Sequence, residues 1–211
     1  MAQPARGIQL SRRCWLLAGL AAPLFPARSA DSLGVTFDGD NLRVAAPNLH
    51  FLSGKLLERM KDGASVVYLT QLTLFSDQGI TVIRRSPVAR FVVSYDIWSE
   101  DKFSVTIPVH PPRTAANLSR PATETWCLES LSISAMGMAP DRPFWLRLEM
   151  RAGDQRDLSS VLGEPGISLR TLILLLGRKP GENDPLWTRD AGPLRLADLT
   201  RTPPGRGARN G

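Results

Sequence analysis

Few side chains in this sequence have the chemistry for catalysis. Cys127 stands three positions after Glu124, with His110 upstream. Thiol, imidazole and carboxylate are the parts of a nucleophile, its base and the group that orients the base. No glycine-rich stretch accompanies them to aim backbone N–H groups at an oxyanion. A lone cysteine beside Trp126 in a short helical pattern reads more simply as a small buried hydrophobe. Asp96, Glu100 and Asp101 form a second cluster, and grouped carboxylates serve as acid and base or hold a divalent cation. Their place between two strand patterns, beside Lys102, favours a solvated turn. Asp38-Gly39-Asp40-Asn41 has acids in calcium-loop style but lacks the further ligand spacing and terminal glutamate, which leaves turn chemistry. Trp98 and Trp145 both fall on the polar side of their strand patterns. An indole there either anchors a partner or belongs to a sheet covered on both faces. No spacing in the chain matches a metal or cofactor motif, and no cofactor is expected.

The elements that must position these residues centre on Val88 to Ile107. Ala89, Phe91, Val93, Tyr95 and Ile97 alternate with Arg90, Ser94 and Asp96; after the break Ser99-Glu100-Asp101-Lys102, Phe103, Val105 and Ile107 alternate with Ser104 and Thr106. This is an antiparallel hairpin with one face in a core. An earlier hairpin is expected over 33 to 46, turning at Asp38 to Asn41. A helix is expected over 54 to 62, with Ser53 as N-cap, Leu52 and Leu57 as a hydrophobic staple and Gly63 as its stop. Val66 to Phe75 and Ile80 to Ile83 read as paired strands. Pro108, Pro111 and Pro112 end the central hairpin and open a surface connection. A short helix follows over 121 to 128, capped by Ser119 or Thr123, then strands over 131 to 135 and 144 to 150. Ser168 starts a leucine-rich helix to Leu176 that is either sandwiched in the fold or docked elsewhere. Leu194-Arg195-Leu196 reads as an edge strand in an otherwise turn-rich stretch. The fold class is α+β: an antiparallel sheet, open or bent into a sandwich, with two or three packed helices.

The chain carries 26 Lys and Arg against 20 Asp and Glu, a net charge of +6 and a pI near 10.0. Four of the arginines lie in residues 1 to 29 and three in residues 200 to 211, with no acid in either stretch. Taking those seven from 26 leaves 19 basic against 20 acidic residues, a net charge of −1 for the body. A nucleic-acid partner is therefore not expected, because phosphate binding needs basic residues gathered on the folded body. Residues 1–29 have the parts of a cleavable export signal: Arg12-Arg13, an apolar stretch from Trp15 to about Phe25, and small residues at Ala27 and Ser29. Pro23 and Pro26 break the apolar stretch below the roughly 20 residues of a bilayer span, so no transmembrane helix is expected after cleavage. The twin arginine followed by Trp15 also fits the twin-arginine route beside general secretion. Cys14 leaves with the leader, and the single remaining thiol cannot form an internal disulfide. The expected organisation is a leader over 1–29, one domain over 30–199 and a disordered basic tail over 200–211.

The segment RFVVSYDIWSEDKFSVT at Arg90 to Thr106, the helix ATETWCLESL at Ala122 to Leu131, and FWLRLEM at Phe144 to Met150 resemble the bacterial domain-of-unknown-function family 4390. The capped helix before Gly63 and the long strand after it fit the same order. The resemblance spans about Leu33 to Leu199 and implies an exported protein of mixed strand and helix, located in the periplasm or secreted. It brings no catalytic residue. The expected function is a non-enzymatic envelope binding module whose partner is an envelope protein or an apolar ligand, with Trp98 and Trp145 as binding residues. The alternative is an envelope hydrolase using Cys127 and His110 or the Asp96, Glu100 and Asp101 carboxylates.

Overall fold

The computed structural model describes residues 33–99, 101–109, 111–153 and 185–201. The expected leader over 1–29, Glu100, His110, the leucine-rich stretch 168 to 176 and the residues beyond Arg201 lie outside them. The strands in chain order are β1 (Gly34–Asp38), β2 (Asn41–Ala45), β3 (Val66–Phe75), β4 (Val82–Arg85), β5 (Ala89–Tyr95), β6 (Phe103–Ile107), β7 (Arg113–Leu118), β8 (Ser132–Ser134), β9 (Phe144–Gly153) and β10 (Leu186–Leu194). Helix α1 (Gly54–Lys61) precedes β3 and α2 (Arg120–Glu129) follows β7. The fold is α+β. A seven-stranded antiparallel sheet has the order β10-β9-β3-β5-β6-β7, with β4 also on β3, and a three-stranded antiparallel sheet has the order β1-β2-β8.

The period of two decides which residues enter the core. Val66, Tyr68, Leu72 and Leu74 of β3 share a face with Phe91 and Val93 of β5, Phe103, Val105 and Ile107 of β6, and Leu146, Leu148 and Met150 of β9. Against this face lie Leu56 and Met60 of α1, Cys127 and Leu128 of α2, and Leu42, Val44 and Ile133 of the small sheet, all in one buried cluster. The central strand β3 is buried at every position. It takes β5 along its first half and β4 along its second, on the same side. Between them Pro87 has no N–H to give, and Ser86 replaces the ladder there. Its N–H donates to the Leu72 carbonyl, its Oγ accepts from the Leu72 N–H at 3.0 Å, and its own carbonyl accepts from Gln71 Nε2 at 3.0 Å.

Several elements depart from the sequence expectation. The strand of the central hairpin ends at Tyr95, and Ile97 is exposed in the connection instead of continuing the core stripe. The prolines after Ile107 lead into β7, an edge strand, where a surface connection was expected. The last strand is the nine-residue β10, while Leu196 sits in a 3-10 turn, Leu196–Asp198. Ser53 stands at the N-cap of α1, but its hydroxyl donates back to the His50 carbonyl and caps nothing. Ser119 does cap α2, accepting from the Ala122 N–H. Among the described residues no helix is long and apolar enough to cross a membrane.

Candidate functional site

Of the thiol arrangement, Cys127 and Glu124 lie within the described residues and His110 lies outside them. Cys127 is fully buried on the core side of α2. Burial, and after it the nearby Glu124 charge, pushes its pKa up, so the uncharged thiol is favoured where a nucleophile needs thiolate. The Glu124 carboxylate is already committed. Its Oε1 accepts from the Leu52 N–H at 2.9 Å and its Oε2 meets His50 Nδ1 at 3.0 Å. Glu124 thus ties α2 to the chain that enters α1, with His50 as its imidazole partner. Tyr68 lies in the same buried region, donating to the Phe51 carbonyl, and burial is the main cause of its raised pKa.

Asp96 and Asp101 of the central hairpin serve its connection, while Glu100 lies outside the described residues. Asp96 Oδ1 accepts from the Trp98 N–H at 3.0 Å, and the Asp96 N–H donates to the Lys102 carbonyl at 2.8 Å. Asp101 takes a left-handed φ of 52° and donates its N–H to the Tyr95 hydroxyl at 3.2 Å. Tyr95 packs edge-on to the buried Phe103, with ring centroids 5.3 Å apart. A closed, hydrogen-bonded tip therefore holds out Trp98, 91% exposed, next to Ile97, 59% exposed. Among the described residues no group of three or more His, Cys, Asp and Glu is placed to hold a metal ion.

Trp145 has another setting. It is the second residue of β9, half buried opposite Phe75, and on its other side β10 has a bulge between Ala191 and Leu194. Gly192 lies in that bulge at φ 148°, and a Cβ there would run into the Trp145 ring at Cδ1. Only glycine lets the backbone come so close. The indole borders a cleft of about 160 Å³ with Phe75, Gln78, Arg147 and Asp190. Arg147 Nε donates to Asp190 Oδ1 at 2.7 Å and its Nη2 to Oδ2 at 3.3 Å, and the guanidinium lies 5.3 Å over the Phe75 ring. The hydrogen bonds from Arg147 to Asp190 are the first cause of its raised pKa.

The two tryptophans do not form one patch. Trp145 pairs with Phe75 at the end of β3, whereas Trp98 lies beyond Val93, the partner of Val66 at the start of β3. Nine residue steps at roughly 3.3 Å each put about 30 Å of sheet between the two ends. Sequence reasoning singled out Trp145 but missed Arg147 and Asp190 beside it, and missed His50 beside Glu124. Compared with known proteins, the chain matches no protein-family model, no curated protein and no solved structure.

Proposed function

We propose that this protein is an exported, non-enzymatic binding module of the bacterial envelope that docks on a partner protein through the Trp98 hairpin. The observation that carries the reading is an indole 91% exposed on a connection closed by its own hydrogen bonds. Burying about 200 Å² of such a ring at 25 cal/mol per Å² contributes about 5 kcal/mol before the entropy cost of association. A backbone already held in place by its own hydrogen bonds loses less of that gain on binding. Asp96 and Asp101 against Lys102 make the tip net negative, which suits an apolar socket with a basic rim and opposes an anionic lipid surface. The leader over residues 1–29 and the resemblance to family 4390 support export. The buried Cys127 thiol and the committed Glu124 carboxylate weigh for binding over a hydrolase.

The test exposes immobilised residues 30–211 to envelope extract, identifies and purifies a retained protein, and titrates it against wild type, Trp98→Ala and Trp145→Ala. The expected partner loses at least tenfold in affinity to Trp98→Ala, about 1.4 kcal/mol or more, and nothing to Trp145→Ala. Equal binding to wild type and Trp98→Ala overturns the reading, as does retention of no protein. Trp98-dependent binding to anionic vesicles would overturn the choice of partner.

A further inference from the structure

From the cleft at the other end of the sheet we infer a second binding site, for one ring of a neutral saccharide. The inference is independent of the Trp98 hairpin, because different residues about 30 Å away carry it, by the strand spacing of roughly 3.3 Å per residue. Three features select the ligand class.

The first is charge. Arg147 and Asp190 face the cleft as a closed pair, the guanidinium held through Nε and Nη2 by the two carboxylate oxygens. Such a pair presents no net charge, so an anion must compete with Asp190 for Arg147, and a cation with Arg147 for Asp190. A neutral ligand meets neither competitor.

The second is the mixture of donors and acceptors. Arg147 Nη1 has hydrogens outside the pair, the Asp190 oxygens keep lone pairs, and the Gln78 side chain offers both. Arg147 and Asp190 are 32% and 55% exposed at their side chains, which leaves these atoms in reach of a ligand. Sugar hydroxyls donate and accept from one atom. Adjacent hydroxyls can therefore accept from the guanidinium and donate to the carboxylate without breaking the pair.

The third is shape. The half-buried Trp145 ring borders the polar groups, and an aromatic surface takes the C–H face of a pyranose as it takes other apolar groups, while Phe75, buried beneath the Arg147 guanidinium, forms the floor. The wall is set in advance, by Gly192 against the Trp145 ring and by the Arg147 guanidinium over Phe75. Gly79 also crowds this corner: a Cβ there would stand 3.2 Å from Arg147 Nη2. The cleft volume is about 160 Å³. That is room for one sugar ring, with further rings of a chain left in solvent.

The experiment titrates residues 30–211 by calorimetry with D-glucose, N-acetyl-D-glucosamine and the trisaccharides cellotriose, chitotriose and maltotriose. Sodium acetate and sodium benzoate serve as anionic comparisons. Trp145→Ala and Asp190→Asn are titrated alongside, their folding checked by circular dichroism, and the exposed Asp190 keeps the test valid should Trp145→Ala fail to fold. The expected result is saturable binding of at least one saccharide with a Kd on the order of 1 mM, weakened tenfold or more by each variant and unchanged in Trp98→Ala. Absence of binding by the whole panel overturns the inference. So does tighter binding of acetate or benzoate than of any sugar, which would mark an anion site on Arg147. Sugar binding that survives Asp190→Asn at full strength would place the sugar elsewhere and overturn it equally.

Discussion

Glu124 is the residue on which the packing of α2 turns. Its carboxylate is buried, and it accepts from the buried Leu52 N–H and meets His50. Glu124→Ala leaves that N–H without an acceptor, which costs about 1–3 kcal/mol. The urea midpoint of the variant should fall accordingly, while Glu124→Gln, which keeps an acceptor oxygen, should recover much of the loss. An unchanged midpoint in Glu124→Ala would show that water replaces the carboxylate freely. This pair was not legible in the sequence, because 74 positions separate His50 from Glu124 and no local spacing links them. The core placement of Cys127 was legible, since the apolar residues beside it show which side of the helix faces inward. The exposure of Trp98 was half legible: the alternation placed it on the polar side, but only the strand's end at Tyr95 lifts it clear of the sheet.

At the scale of elements, the β3–β4 connection depends on one carboxylate. Asp77 Oδ1 accepts from the Ile80 N–H at 2.7 Å and the Thr81 N–H at 2.9 Å. Hydrogen bonding from Thr81, first of its causes, lowers the Asp77 pKa below the ordinary value of 3.8. The folded state therefore favours the charged form. Its contribution is complete above the ordinary value and is lost as pH falls through the lower, folded one. Asp77→Ala should then lower the urea midpoint at pH 7, and the gap from wild type should shrink between pH 4 and pH 3. A gap that stays constant over that range would mean the carboxylate charge plays no part in the turn. Strands with one buried face were easy to read, since β5, β6 and β9 follow their alternation; β3, buried at every position, was legible from its β-branched and aromatic residues instead. β7 was not, because Arg113–Leu118 is an edge strand that buries neither face and so leaves no alternation to read. β10 was hidden for a related reason, its pattern being interrupted by Gly192-Pro193 at the bulge that receives Trp145.

At the scale of the whole molecule, the question is whether the two sheets and two helices of the described residues unfold as one. A single buried cluster runs from Leu42 and Val44 of the small sheet through Cys127 and Leu128 of α2 to Phe91, Phe103 and Leu148 of the large sheet. Strand alternation foretold the large sheet's half of this core. The other half depends on how α2 and the small sheet fold back over it, which no period in the sequence encodes. A shared core predicts one cooperative transition. Phe91 is fully buried at its centre, and Phe91→Ala should cost about 3–5 kcal/mol. Two probes report on different halves: far-ultraviolet circular dichroism follows mainly the strands, and reaction of Cys127 with a thiol reagent follows α2. In urea their midpoints should coincide in the wild type and move down together in Phe91→Ala. If Cys127 instead becomes reactive at a lower urea concentration than the strands melt, α2 opens as a separate unit, and the continuous cluster does not couple the two sheets.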